Sequence, residues 1–476
     1  MLILALVLAA VAATDPWALM AERDVRAMHE QIRDHHPGPV DPLNPKFNEW
    51  LEQGLEQSLE RARAARSYAE YANALRFYAG GFRDGHLGVF FGIAPTEAFW
   101  PRFILGRRGE AFVVTRVAEG EKDVPPAGSV LVDCDGSTPL QLLERELYPL
   151  HAGPLLESTA DVVAPLLLMR GMPPKQCRFR VGEETKTYEL RYRRIPADAL
   201  AKLREPDPAP AGVRRVAAGG VWVSIPSFQG ADGETAAALR KIVEEAPSWR
   251  DAPFVVFDVR GNRGGNSSWG VNILYGLYGE PFLNAALAGK PGTPRSYADW
   301  RVSAHNLAMV RDNIASLTAQ LGPEARPTLG LKNVEQGMVE ALAKGTAMLH
   351  FKDEATVHPE RTEPVPPPAF AGKVILLTDG RCASACLDFA DLTYRLPRFT
   401  HAGRMTSADS VYMETRSVTL PSGMASLSIP TKVYRNRIRG HNEPYTPRWK
   451  YEGDVGETPA VEKWLVGRLQ ENVSTP

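Results

Sequence analysis

FVVFDVRGNRGGN, residues 254–266, joins an unbroken apolar run to a loop that sets three glycines, Gly261, Gly264 and Gly265, into five positions. An apolar run of this length, bounded by glycine, reads as a strand buried on both faces, the kind found in parallel sheets. Glycine in an ordered loop lets the backbone reach positive φ and lets main-chain N–H groups approach a ligand, at an entropic cost near ~1 kcal/mol each. The loop is therefore one built to hold negative charge. Its spacing is neither G-x-x-x-x-G-K-[ST] nor G-x-G-x-x-G, so phosphate is not the anion it predicts. The alternative is transient: the oxyanion of a tetrahedral acyl-transfer intermediate, which demands a nucleophile elsewhere in the chain.

Around this strand, residues 206–476 alternate between strand and helix. VWVSIPSF (221–228) and KVILLT (373–378) read as strands, and ETAAALRKIVEEA (234–246), SSWGVNILYGLYG (267–279) and SACLDFADLTYRL (384–396) as helices. Near-continuous apolar strands alternating with helices predict an α/β fold with a parallel sheet covered on both faces. Residues 281–370 interrupt the rhythm with two helical segments and lead into the Pro-rich EPVPPPAFAG (363–372), an insertion of the size that forms lids or shapes clefts.

Residues 14–95 read as a helical domain, with Leu51, Leu55 and Leu59 at helical spacing and a break at HHPGPVDPLNP (35–45). Adjacent His35 and His36 point apart on a helix and are expected at the surface or as caps. Residues 96–205 hold short β-like runs, among them AFVVTRV (111–117) and GSVLVDCDG (128–136), with a helix near LQLLERELY (140–148). REPDPAPAG (204–212) is the linker that ends this domain.

A chain of 476 residues exceeds what one core usually supports, in line with several domains. Its 55 Lys and Arg against 56 Asp and Glu leave no basic excess for nucleic acid and no acidic tail. MLILALVLAAVAA (1–13) reads as a signal peptide, with Val11 and Ala13 placed for cleavage before Thr14, and so predicts an exported protein, periplasmic or secreted. No Lys or Arg precedes the apolar run, so an uncleaved N-terminal anchor stays open; the run is too short to span a bilayer comfortably. Cys134 and Cys177 share a domain in which a disulfide can form, though spacing does not fix the pairing. No HExxH, repeated CxxC or His/Cys cluster predicts a metal.

In open α/β sheets ligands sit beyond the carboxyl ends of the strands. One such end is the glycine loop, and the other is TDGRCASACLD (378–388), where a helix starts near Ser384. A serine there has its Oγ at the positive end of the helix, where unpaired N–H groups favour developing negative charge. The N–H of Ala385, together with that of Gly264 or Gly265, then forms the oxyanion hole. From the local sequence alone, Ser384 also reads as a helix cap, and Cys382 and Cys386 as buried apolar fillers.

These residues in this order resemble the carboxy-terminal processing peptidase and tricorn family of serine peptidases. Asp258, Arg260, Gly261, Asn262, Gly264 and Gly265 match the D-x-R-G-N-x-G-G pattern, and CASACLD (382–388) places Ser384 on the family nucleophile. HAGRMTSADSVY (401–412) and LPSGMASLSIP (420–430) resemble two further family segments, and AGSVLVDCDGSTPLQLL (127–143) resembles a PDZ-type pattern. The resemblance covers most of the chain. It implies a crotonase-like catalytic core preceded by a helical segment and a PDZ-like β domain, acting on peptide or protein substrates without a cofactor.

The departures are informative. Asp409 stands where processing peptidases carry a general-base lysine, so no Ser–Lys dyad is expected. Leu387 stands where many members have glutamate, with Asp388 following. The tricorn-like branch draws instead on a histidine from the N-terminal part and a carboxylate near the C-terminus. FRDGHLGVFF (82–91) resembles that branch's D-G-H motif and offers His86 as the base, since an imidazole near neutral pKa takes and returns a proton readily. RGHNEPYTPRWKYEGDV (439–455) offers Glu443 as the supporting carboxylate, with Glu452 as the alternative.

The sequence thus predicts an exported serine peptidase in which Ser384, His86 and Glu443 are catalytic and Gly264, Gly265 and Ala385 serve the oxyanion. It needs no metal or organic cofactor, binds no nucleic acid and keeps no membrane span once the leader is removed. The missing lysine keeps a catalytically inactive peptide-binding protein on the same fold as the alternative. An α/β-hydrolase esterase would need a G-x-S-x-G elbow, which GGNSSWG (264–270), with Ser267 and Ser268, does not supply.

Overall fold

The structure, a computed structural model, describes residues 15–471 apart from 94, 171–172, 205–209, 231–232, 290–291, 351–357 and 359–363. The leader at 1–13 and much of the linker at 204–212 thus lie outside the described residues.

A six-stranded sheet forms the centre. Val221–Ser224, Phe254–Asp258, Lys373–Thr378, Phe399–Gly403 and Trp449–Lys450 run parallel, and Gly212–Arg215 is an antiparallel edge. All five residues of Phe254–Asp258 are buried, as its unbroken apolar run predicts. Successive side chains of a strand point to opposite faces. Val255 and Phe257, with Val223, Val374 and Leu376, therefore meet the helices Gly233–Glu245, Ser268–Tyr278 and Ala385–Thr393 through Leu239, Ile273 and Phe389. Phe254 and Val256, with Trp222, Ile375 and Leu377, meet the final helix Thr458–Glu471 through Val461, Leu465 and Leu469. Each large side chain so enclosed contributes roughly 1.5–3 kcal/mol.

A second, antiparallel sheet is organised on the long strand Ala425–Arg435, which pairs with Gly88–Phe91, Tyr297–Arg301 and Tyr412–Thr419. Three N-terminal helices, Pro16–His35, Lys46–Ala64 and Tyr68–Gly81, pack on it, so Met28, Leu51 and Leu75 share one core with Leu427 and Ile429. The stretch 281–370 is stitched into the same sheet by Tyr297–Arg301, and its two longer helices, Ala304–Leu321 and Arg326–Ala343, pack against each other nearby. Chain ends far apart in sequence are thereby brought to one place.

The third unit is a five-stranded antiparallel sheet, Phe103–Arg108, Ala111–Val117, Val130–Cys134, Gln176–Val181 and Glu184–Glu189. Cys134 and Cys177 face each other across two of its strands and form a disulfide. A capping box between Thr138 and Gln141 starts the helix expected near 140–148, which is α-helical only over Pro139–Leu142 before widening.

Of the two readings expected for His35 and His36, the cap holds and the surface does not: His36 is the C-cap of Pro16–His35, its N–H donating to the Ile32 carbonyl, but His35 is 9% exposed and His36 0%. The helix Pro16–His35 ends there, and the chain turns inward, so His36 stacks on Phe47 with ring centroids 4.7 Å apart.

Candidate active site

The strands Phe254–Asp258 and Lys373–Thr378 are neighbours in register, with Asp258 opposite Leu377, so the loops leaving their carboxyl ends lie side by side. The glycine loop is fixed at both ends. Arg260 donates to Asp258 at 2.6 and 2.8 Å and to the Val455 carbonyl at 2.5 Å. Asn262 is fully buried, donates to the Ile225 carbonyl at 2.9 Å and accepts the Gly264 N–H at 2.9 Å.

Gly264 and Gly265 take φ of +99° and +136°, conformations that L side chains rarely adopt. A Cβ on Gly264 would lie 2.7 Å from the Ser384 Cβ and 2.9 Å from the Ala385 nitrogen, so the glycine loop touches the Ser384 turn directly. A Cβ on Gly265 would lie 2.2 Å from the Phe228 carbonyl carbon. Each glycine is thus required by a close approach, to the serine on one side and to the neighbouring chain on the other.

Ser384 heads the helix Ala385–Thr393 with φ 54° and ψ −124°, a conformation costly for any residue but glycine. It is not a side-chain cap; its carbonyl instead accepts the N–H groups of Leu387 and Asp388 at 2.8 and 3.0 Å. Its own N–H donates to Asp409 Oδ2 at 2.9 Å. Asp409, at the position where a lysine would serve as base, is thus a buried carboxylate that holds the serine backbone, with Arg439 3.9 Å away. Cys382 and Cys386 are more than apolar fillers: they form a disulfide that brackets Ser384. No hydrogen bond within the described residues takes the N–H of Gly265 or Ala385, whereas that of Gly264 is used by Asn262. Of the two glycine donors, Gly265 is the one left open.

His86 is partly buried on the turn before Gly88–Phe91, and its N–H donates to Asp84 Oδ1 at 3.0 Å. Asp84 also accepts from Ser410 Oγ at 2.7 Å and lies 3.1 Å from His36 Nε2. The Gly38 N–H donates to His36 Nδ1 at 2.8 Å, so Nε2 carries the proton and donates to Asp84. Burial lowers the His36 pKa and keeps the ring neutral. Burial also opposes charge on Asp84, but the His36 hydrogen bond and its other neighbours hold that carboxyl below its ordinary value. The result is an anionic, buried anchor for the His86 backbone.

The side chain of His86 is less committed. Its Nδ1 is buried without a hydrogen-bond partner, and no hydrogen bond links it to Ser384. The two residues are joined through the segment after Arg439, in which the Asn442 N–H donates to the Asp409 carbonyl at 2.9 Å and its amide to the Arg83 carbonyl at 2.8 Å. Glu443 is exposed and accepts the Gly440 N–H at 2.6 Å, closing the turn that carries Asn442, and no hydrogen bond joins it to His86. Arg439 pairs with Asp391 at 3.1 Å instead of with Glu443. Glu452 is 59% exposed and 3.7 Å from Arg404. Leu387 is buried in the core, and the neighbouring Asp388 accepts from Ser267 Oγ at 2.6 Å.

The structure therefore brings Gly264, Gly265, Ser384 and Ala385 together, holds His86 on a braced turn, and puts Glu443 on the segment that bridges them. Sequence reasoning missed His36, the anchoring role of Asp409 and the Cys382–Cys386 bridge. Two cysteines four apart with a serine between them were a legible signal for the last. Among the described residues no cluster of three metal-ligating side chains occurs, and no helix is long and apolar enough to cross a membrane.

Residues 221–443, which hold the glycine loop, Ser384 and Glu443, match peptidase family S41. Among solved structures, mature CPAF is similar over 96% of this chain and 99% of its own, with a TM-score of 0.63 at 13% identity. CPAF complexed with lactacystin gives 0.60 at 14% identity over 96% and 99%. The photosystem II D1 C-terminal processing protease aligns over 93% and 96% with a TM-score of 0.35 at 16% identity. No curated protein sequence matches the chain.

Proposed function

We propose that this chain, whose residues 221–443 match peptidase family S41, is an exported serine peptidase that cleaves peptides or proteins through an acyl-enzyme on Ser384. Ser384 Oγ attacks the peptide carbonyl carbon as its proton passes to His86. The carbonyl oxygen becomes the oxyanion, and the N–H groups of Gly265 and Ala385 receive it. His86 then returns the proton to the leaving amine as the C–N bond breaks. Water repeats the sequence on the ester, releasing the acid and restoring Ser384. One such oxyanion donor is commonly worth about 2.7–4 kcal/mol of barrier.

The observation that carries this reading is the contact of Gly264 with Ser384, beside two N–H groups without partners. The mechanism requires His86 to reach Ser384 when substrate arrives; catalytic hydrogen bonds commonly form or tighten at that stage. Glu443 acts through the turn it closes, keeping the Asn442 link to the His86 segment in place. Export is supported by the apolar leader sequence and by two disulfides, which persist in oxidising compartments. The six-stranded sheet is read as the crotonase-like core, and the five-stranded one, 103–189, as a PDZ-like domain that receives a peptide end.

Labelling with a fluorophosphonate and mass mapping of the adduct tests this. The expected adduct is on Ser384 and is lost in His86→Ala. A folded wild-type protein without adduct would refute the mechanism and leave the silent peptide-binding protein, while an adduct on Ser267 or Ser268 would point to the esterase.

A further inference from the structure

Ser384 must sit at positive φ without the help of glycine, because its side chain is the reagent. Residues in such conformations persist only where their surroundings over-determine them. The restraint on its N–H comes from Asp409, and the restraint on its flanks is the bond between Cys382 and Cys386, with Cα atoms 5.3 Å apart and Ser384 midway between them.

Each half of that bridge is anchored to a different element. The Cys382 N–H donates to the Asp379 carbonyl at 3.2 Å, at the end of the strand, and its carbonyl accepts the Ser407 N–H at 3.1 Å, on the segment that carries Asp409. Cys386 lies in the first turn of the helix and in the core under the central sheet. Both cysteines are fully buried. The bond therefore ties strand end to helix start across the one residue between them at positive φ.

A crosslink closing so short a loop constrains the unfolded chain least, whereas the one between Cys134 and Cys177 spans 43 residues. Its effect is local, and the local residue is the nucleophile.

We propose that the Cys382–Cys386 disulfide is a positioning device for Ser384, and that oxidation of this pair is the step that makes the serine reactive. The inference rests on Ser384 being the nucleophile. Formation proceeds by exchange with a disulfide of a dithiol carrier or small thiol: the two cysteines release two protons and two electrons, the sulfur–sulfur bond forms, and the partner's disulfide is reduced to two thiols. Without the bond, the turn relaxes toward conformations in which Ser384 Oγ is turned away from the open N–H groups. A residue in a sparsely populated backbone region then occupies its reactive form roughly 10- to 100-fold less often.

The test compares wild type with Cys382→Ala/Cys386→Ala, which leaves the other disulfide intact, by fluorophosphonate labelling rate, kcat and KM on a peptide, and thermal midpoint. Labelling rate and kcat should fall about 10- to 100-fold with KM and fold little changed, because ground-state binding is untouched. Labelling within about twofold of wild type would overturn the proposal while leaving Ser384 as nucleophile. Should the variant not fold, wild type is poised in glutathione buffers and each cysteine pair mapped by mass. A labelling rate that tracks the 382–386 pair and returns on reoxidation supports the proposal, and one that tracks 134–177 or neither overturns it. Absence of any adduct in fully oxidised wild type would instead remove the nucleophile reading, and this one with it.

Discussion

Replacing Gly264 by alanine should silence Ser384 without unfolding the protein. The new methyl would sit 2.7 Å from the Ser384 Cβ, 2.8 Å from the Ala383 carbonyl and 2.9 Å from the Ala385 nitrogen. Comfortable carbon–carbon contact needs about 3.5–4.0 Å, so the serine turn must retreat by roughly 1 Å. A misplacement of that size commonly costs about a hundredfold in rate, or about 2.7 kcal/mol of barrier. The φ of +99° adds strain on the order of 1–3 kcal/mol to the folded state. The assay is kcat/KM on a peptide substrate, with fluorophosphonate labelling and a denaturant midpoint on the same preparation. Two other glycines serve as controls, Gly85 next to His86 and Gly265 next to Gly264. A Cβ on Gly85 would meet nothing within 4 Å, so Gly85→Ala should retain activity. A Cβ on Gly265 would strike the Phe228 carbonyl carbon at 2.2 Å and the Gln229 nitrogen at 2.4 Å, backbone that cannot yield, so Gly265→Ala should lose stability first. Folded Gly264→Ala retaining kcat/KM within about threefold would show that this contact does not position the nucleophile.

Two further predictions concern charge. Burial pushes the His401 imidazole down to about 4 from an ordinary 6.5. A histidine depressed in the folded state contributes stability that is full above 6.5 and lost as pH falls toward 4, here about 3 kcal/mol. Thr378 Oγ1 spends its proton on the Arg404 carbonyl at 2.6 Å and accepts from His401 Nε2 at 2.7 Å, and Tyr394 Oη lies 2.7 Å from Nδ1, so both ring nitrogens meet neutral groups and burial is not offset by a carboxylate there. His401→Gln should therefore flatten the unfolding free energy between pH 6.5 and 4, and parallel profiles for wild type and variant would refute this. Among the carboxylates, Glu443→Ala should lower kcat about tenfold by freeing the Gly440 turn, while Glu452→Ala should change little, since exposed ion pairs are worth about 0–1 kcal/mol. The opposite ranking, measured as kcat on one peptide, would reassign the supporting carboxylate.

The central sheet was legible because a run such as FVVFD can be buried on both faces only in the middle of a parallel sheet, and Phe254–Asp258 lies there. The contact between its loop and Ser384 followed from the same logic, since both lie beyond adjacent strand ends. What the sequence hid was long-range pairing. Nothing in HHPGPV shows that His36 turns inward onto Asp84, because the partner lies 48 residues on, and the Ser410 that shares it lies 326 beyond that. Likewise the two helical segments expected within 281–370 carried no sign of the strand Tyr297–Arg301, whose partner, Ala425–Arg435, lies more than a hundred residues later. Period reports which face is buried, not against what.

The hidden contacts share a location. His36, Asp84, Ser410 and Asp409, all buried, form with the partly buried Asn442 a polar seam between the N-terminal helices, the antiparallel sheet and the Ser384 turn. Low dielectric makes each satisfied bond stronger and each unmet one costlier, so such a seam fixes one arrangement of the elements it joins. Within it the backbone of His86 is held and its Nδ1 is left without a partner. A frame that holds the backbone of the base while leaving its Nδ1 unbound keeps that nitrogen available for a proton. The same division appears at the serine, whose N–H is bound by Asp409 while the adjoining N–H groups of Gly265 and Ala385 stay open. In both places the chain spends its hydrogen bonds on holding position and withholds them from the atoms that would react.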